Sequence, residues 1–234
     1  MSDARGGFAP YFSGRQFFAV GDEQLMRQAG ELRFQVYCEE CSFLANADYP
    51  TGLESDEFDA GSEHFCSLNL QDEIVGYVRL VHASDGGRFP FQAHCVGLFA
   101  ETVLPDPALA GEISRLMVRK DYRRRRNDAL AGVTVPDETK FSQDRRNESP
   151  QILLSMYRAM YHYSLAHHIR YWYAAMERPL ARALLRFGFE FHQIGPETDY
   201  YGPVAPYLAD LREIELKVEA AAPALMAWLR QVGD

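Results

Sequence analysis

The stretch Glu112-Ile-Ser-Arg-Leu-Met-Val118 reads as a β-strand, with Ile113, Arg115 or Leu116, and Val118 alternating along it. The helix and strand beyond it decide the fold class. Ser149-Pro150 predicts a helix start, serine as N-cap and proline at the first position, and apolar or aromatic residues run on from Ile152 to Leu165. Arg170-Tyr-Trp-Tyr-Ala-Ala-Met176 is a buried-strand run, and Pro179 opens a short helix that stops at Gly188. Upstream, Arg15-Gln-Phe-Phe-Ala-Val20 is a short strand, and Leu25, Ala29, Leu32 and Val36 form one stripe of an amphipathic helix. Residues 44–63 carry Pro50, Gly52 and Gly61 and read as a loop. His64 to Leu70 and Glu73 to His82 are β-rich runs joined at Gln71-Asp72, a hairpin signal. Downstream, Phe189 to Ile194 and Tyr200 to Val204 read as two more strands, and the tail from Pro206 as helical through Leu229. The order predicts a mixed α/β (α+β) sheet in a single domain over residues 1–234, with no repeats and no second core.

Of the 234 residues, 47% are hydrophobic, enough for a sizeable core and too many for a disordered or fibrous chain. A net charge of −9 argues against nucleic acid as a partner. The start, Met1-Ser-Asp-Ala-Arg-Gly-Gly, has no apolar stretch of secretory type, and no run nears the roughly 18 to 20 apolar residues of a membrane span, so a cytoplasmic protein without a transmembrane segment is expected. Cys38, Cys41, Cys66 and Cys95 are too few for a disulfide scaffold. Cys38-x-x-Cys41 is half of a zinc or redox site, but no second pair stands at ligand spacing; the expectation is semi-buried thiols and no metal.

Positive charge concentrates between Arg115 and Arg146, which holds ten Lys or Arg against five acids. Arg119, Lys120, Arg123, Arg124, Arg125 and Arg126 open this block, and residues 120–149 read as a flexible basic insertion. A solvated charged loop is one reading. The other is a docking face for an acidic protein, since no glycine-rich phosphate cradle comes after the strand.

The element order is similar to the GCN5-related (GNAT) acyltransferase fold, whose central strands splay apart and admit the pantetheine arm of an acyl donor. Within it, Arg33, Tyr37, Phe43, Asp56, Asp59, Arg79, Glu112 and Arg115 resemble the spaced pattern of acyl-homoserine lactone (autoinducer) synthases. Glu54-Ser-Asp-Glu-Phe-Asp59 and Glu112-Ile-Ser-Arg-Leu-Met-Val118 are the strongest matches. Tyr37 and Phe43 stand where those enzymes usually have phenylalanine and tryptophan. Met176-Glu-Arg-Pro-Leu-Ala-Arg182, Arg186-Phe-Gly-Phe-Glu-Phe and Ile194-Gly-Pro196 resemble the acyltransferases found beside PEP-CTERM/exosortase sorting systems, themselves similar to long-chain N-acyl amino acid synthases. The resemblance covers about residues 15–212.

It implies an N-acyltransferase that moves a long-chain acyl group from acyl carrier protein to the amine of an amino acid or similar small acceptor. No tightly bound cofactor is implied. The donor is an acyl-phosphopantetheine on the carrier, with acyl-coenzyme A as the alternative. The rival readings are a lactone synthase using S-adenosylmethionine and a non-catalytic fatty-acyl binding module. Glu112 is the expected base, the other reading being an ion-pair partner of Arg115 or Arg79, and the two roles are compatible. Asp56 and Asp59 either hold an acceptor's ammonium or order their loop, and Arg33, Tyr37 and Phe43 complete the substrate-binding set. The phrase Glu-x-Asp-x-x-Asp lacks the glycine and terminal glutamate of a calcium loop. Arg79 and Arg115 are expected to pair with the acids, because arginine on an interior strand is costly otherwise. His64 and His82 are alternative bases. Tyr173 either protonates the leaving thiolate or packs the core. The 15 Phe and 13 Tyr suffice to line an acyl tunnel or an ordinary core.

Overall fold

The computed structural model describes residues 12–95, 97–123 and 148–231. In chain order these form β1 (Ser13–Phe17), α1 (Glu23–Phe34), β2 (Ser62–Leu68), β3 (Ile74–Val81), the short α2 (Phe91–His94) and β4 (Ala110–Val118). They continue as α3 (Glu148–Ala166), β5 (Tyr171–Met176), α4 (Arg178–Arg186), β6 (His192–Gln193), β7 (Thr198–Asp199), β8 (Pro203–Asp210), α5 (Leu211–Ala221) and α6 (Pro223–Arg230). The strands make one mixed sheet in the order β1-β2-β3-β4-β5-β8-β6, with β7 paired to β8. All neighbours are antiparallel except β4 and β5, which the long crossover through α3 makes parallel.

Each face of the sheet carries helices. The α1 stripe of Leu25, Ala29, Leu32 and Val36 packs on Phe17, Cys66, Leu68, Ile74, Tyr77 and Met117. On the other face, the α3 residues Ile152, Met156, Tyr157 and Met160 join Val78, Leu80, Trp172 and the inner sides of α5 and α6 in the larger core. Helix α3 sits close because β3 offers it a glycine: a Cβ at Gly76 would lie 2.5 Å from Ile152 Cγ2. The β2–β3 turn falls at the expected place. Asn69 accepts hydrogen bonds from the N–H groups of Gln71 and Glu73, and Asp72 takes a left-handed φ of 58°.

Several sequence expectations need correction. The tail does not turn helical at Pro206, which instead lies inside β8; its carbonyl accepts from Ile194 N–H. Proline argues against a central strand, but β6 spans only two residues beside it and requires few donors from β8. The helix begins at Leu211, where the Asp210 side chain accepts from Arg212 N–H. Of Phe189 to Ile194 only His192–Gln193 is strand, because Phe189 and Phe191 turn into the core after Gly188, whose φ is 86°. Tyr200 to Gly202 form a hairpin tip rather than a strand, Tyr201 and Gly202 having φ of 55° and 103°. Helix α3 already includes Ser149 instead of starting after it, a shift within the usual uncertainty of helix ends. No helix among the described residues is long and apolar enough to cross a membrane.

Candidate active site

Strands β4 and β5 pair only from Ala110 opposite Tyr171 to Ile113 opposite Ala174. Beyond that point both strands continue, β4 to Val118 and β5 to Met176, without pairing to one another, so the sheet opens into a gap. A cleft of about 140 Å³ occupies it, lined on one side by Ser114, Arg115 and Leu116 and on the other by Ala175, Met176 and Glu177.

A β-bulge in β4 gives the gap two different sides. Tyr77 pairs with Met117 and Arg79 with Ser114, so Val78 alone faces both Arg115 and Leu116. Arg115 absorbs the extra residue with a φ of 55°, a conformation costly for a side chain of its size. Strict alternation would send Arg115 into the α3 core. The bulge turns it instead to the α1 side, beside Ser114 and Arg79, and leaves Ile113 and Leu116 packed with the α3 core.

On the α1 side three arginines and three acids balance one another. Arg33, from the last turn of α1, pairs with Glu54 and, at 2.7 Å, with Asp59. Arg79 grips Asp56 with both terminal nitrogens, at 2.5 and 2.7 Å, and reaches Asp59 at 2.6 Å. Arg115 bridges Glu54 at 3.0 Å and Asp56 at 2.9 Å, with its guanidinium 4.8 Å over the Tyr37 ring. Burial raises the cost of charge on Asp59, but the Arg33 and Arg79 guanidiniums outweigh it and hold the carboxyl down to about 2. Asp56 is lowered in the same way: burial opposes its charge, and Arg79 with Arg115 overcomes the opposition. These acids are therefore carboxylates already spoken for by arginine. The expected pairing of Arg79 and Arg115 with the loop acids is present, and Glu54, a member of the motif for which the sequence suggested no role, is the most deeply buried of the three acids.

Glu112 stands apart from that network. It is 4% exposed, and its Oε2 accepts from Phe91 N–H at 2.9 Å. Among the described residues it forms no ion pair, so the alternative reading of Glu112 as a partner of Arg115 or Arg79 is corrected: both arginines turn their terminal nitrogens to the loop acids instead. Burial pushes the Glu112 carboxyl up to about 8, against the smaller opposing pull of Phe91 N–H, Arg79 and Arg115. A carboxyl poised near neutrality in a cleft can both take and return a proton.

The other sequence candidates divide. Tyr37, Phe43, Asp56, Arg79, Glu112 and Arg115 all line the cleft, whereas Arg33 and Asp59 lie behind it as supports. Tyr173 is not in the lining; its ring packs 5.0 and 4.8 Å from Phe89 and Phe91, the core role that was its alternative. His64 is buried, with Nδ1 2.7 Å from Tyr77 Oη and Nε2 against the Asp59 carbonyl, and burial pushes its ionisation down. His82 contacts Tyr163 Oη at 3.1 Å, away from the cleft. Arg119 is bound by Asp121 at 2.8 Å and Glu73 at 3.3 Å, Arg123 is bound by Glu40, and Lys120 is exposed. Arg124, Arg125 and Arg126 lie outside the described residues. Cys38 and Cys66 are buried and Cys41 and Cys95 half-buried, all as free thiols, and no cluster of three metal-ligating side chains occurs among the described residues.

Sequence reading missed three tyrosines of the cleft. Tyr200 and Tyr201, at the β7–β8 hairpin tip, close it from the side, and Tyr157 reaches it from α3. Tyr200 stacks on His94 with 4.1 Å between centroids; burial lifts its hydroxyl to about 12 despite Arg115 nearby, so it stays a donor. Tyr201 packs 5.7 Å from Phe43 and 6.4 Å from Tyr37, joining the two N-terminal aromatics in one wall.

A family model described as an acetyltransferase (GNAT) domain matches residues 32–132, which include the acid loop, β3 and β4. No curated protein matches the sequence. Among solved structures, the chain is similar to the CoA-dependent acyl-homoserine lactone synthase BjaI with MTA, at 19% identity over 92% of this chain and 89% of that one, TM-score 0.64. It is similar to the AHL synthase LasI, at 16% identity over 91% and 95%, TM-score 0.62. It is also similar to FeeM, an N-acyl amino acid synthase from uncultured soil microbes, at 15% identity over 91% and 98%, TM-score 0.54. The chain carries the GNAT acyltransferase fold, with its open mixed sheet flanked by helices, and the domain match supports an enzyme.

Proposed function

We propose that the protein transfers an acyl group from a thioester donor to the amine of a small acceptor, with Glu112 as general base. The observation that carries this reading is a lone, desolvated carboxyl at the point where β4 and β5 part. A value near 8 matches an α-amino group, ordinarily about 7.7 to 8.0, so proton transfer between them is nearly balanced. The amine nitrogen attacks the thioester carbonyl, the C–N bond forms and the C–S bond breaks. Glu112 accepts the proton that nitrogen sheds and returns it to the departing thiolate, which leaves as the thiol. Tyr200, still protonated and near Arg115, is the donor placed to meet the developing negative charge. The arginine network keeps Asp56 ionised and β4 in its strained shape, so these groups are fixed before substrate arrives.

The preferred finer reading is that the donor is acyl carrier protein and the acceptor an amino acid, as in an N-acyl amino acid synthase. Support for the carrier is the basic segment opening at Arg119 and Lys120, directly after the strand that borders the cleft, on a chain of net charge −9. An acyl-homoserine lactone synthase using S-adenosylmethionine is the second reading, favoured by the likeness to BjaI and LasI. Incubation with acyl-carrier and acyl-coenzyme A donors, amino acids and S-adenosylmethionine, then mass analysis of the products, separates them. An N-acyl amino acid supports the first reading. A lactone with released methylthioadenosine supports the second. Thioester binding without turnover contradicts both.

A further inference from the structure

We propose that Tyr157 is the end stop of the acyl channel and sets the length of the chain the enzyme accepts; this rests on the acyl-transfer reading. Tyr157 lies in the middle of α3 and is 1% exposed, yet it lines the cleft, the one α3 residue among the described residues to do so. Its ring is held edge-on by Trp172, at 5.8 Å and 84°, and by Phe189, at 5.2 Å and 86°. Among the described residues its hydroxyl has no hydrogen-bond partner, and burial alone pushes its ionisation up. The hydroxyl is not sealed into the core but borders the cleft.

The cleft around it changes character with depth. Asp56, Arg79, Glu112, Ser114 and Arg115 make the α1 side polar. Ile113, Leu116, Ala174, Met176 and Leu180 make the α3 side apolar. A thioester held beside Glu112 therefore has a dry path for its hydrocarbon through the opening between β4 and β5, and that path meets the Tyr157 ring. The rings of Trp172 and Phe189 prevent Tyr157 from swinging aside, so a chain that reaches it has to end there.

Shortening the side chain lengthens the path, and each methylene newly buried in it should tighten binding about fourfold. The test uses S-acyl pantetheine thioesters graded from butanoyl to hexadecanoyl. Binding is tracked by quenching of Trp172 fluorescence, and transfer to an amine by mass of the amide. Tyr157→Leu should move the best-bound chain to greater length. Tyr157→Phe, which keeps the ring, should retain the wild-type profile. Ala174→Val, which narrows the path, should move it to shorter chains and decides the matter if Tyr157→Leu does not fold. A folded Tyr157→Leu protein with the wild-type profile, a shift caused by Tyr157→Phe alone, or the absence of any chain binding to wild type overturns the end stop. Length-selective binding that shifts as expected without amide formation supports the end stop and refutes the transfer reading. Amide formation with unaltered profiles does the reverse.

Discussion

Replacing Glu112 by glutamine should make the protein more stable at alkaline pH while making it a poorer catalyst. Glutamine keeps the volume and can still accept from Phe91 N–H through its amide oxygen. It removes the ionisation. The carboxyl titrates at its ordinary 4.5 in the unfolded chain and at about 8 in the folded one. Below 4.5 both states hold the proton and the carboxyl has no preference between them. As pH rises the unfolded chain releases its proton first, so wild-type stability falls until the folded group also ionises near 8. The stability difference between variant and wild type should therefore climb by roughly 1.4 kcal/mol per pH unit across that window, to a ceiling of about 5 kcal/mol. Urea unfolding of both proteins at half-unit intervals from pH 4 to 9 measures it directly, since every other titrating group is common to the two and cancels. Parallel stability curves across the window would refute the desolvated carboxyl, and with it the reason for placing a base at this position.

The same geometry sets three further outcomes. Arg115→Ala leaves the buried Glu54 and the half-buried Asp56 without one partner and should cost about 3 to 5 kcal/mol in urea unfolding, together with activity; an unchanged midpoint would contradict the bridging role. Asp59 is held near 2 against an ordinary 3.8, so the stability it contributes, about 2 kcal/mol, is present above 3.8 and lost as pH falls through 2; Asp59→Asn should flatten that acid limb of the stability curve. Replacing Arg123, Arg124, Arg125 and Arg126 together by alanine should raise KM for an acyl-carrier donor and flatten its salt dependence, while turnover of a short acyl-pantetheine stays as it was; equal loss with both donors would argue against carrier docking.

The parts of this protein that sequence made legible are those with a period. The α1 stripe buries one face and the spacing of its apolar residues reports it, while the aromatic run of β5, buried on both faces at Trp172 and Tyr173, reads as a strand from its residue types. The arginine–acid network was legible in kind, because charges on interior strands require partners, though not in detail. Arg115 reaches the loop acids only through a left-handed φ, and no residue type in Ser-Arg-Leu announces that bulge. Tyr173 was indistinguishable from its neighbours because the loop carrying Phe89 and Phe91, which covers it, has no periodic signal. Tyr200 and Tyr201 were read as strand because aromatic residues favour strands, although φ of 55° at Tyr201 makes them a hairpin tip. Tyr157 was hidden within a helix that is apolar on most sides, where the sequence cannot say which residue borders a cavity.

The central claim is that Glu112 takes the proton from the attacking amine. Its most direct test is kcat/KM for amide formation across pH, with an acceptor of low basicity, such as a hydrazide, that stays unprotonated throughout. Wild type should gain activity as pH rises through about 8, and Glu112→Gln should lose that limb and be slower by about 10²- to 10⁴-fold. A limb of the same position in the folded Glu112→Gln protein would assign the base elsewhere and contradict the account.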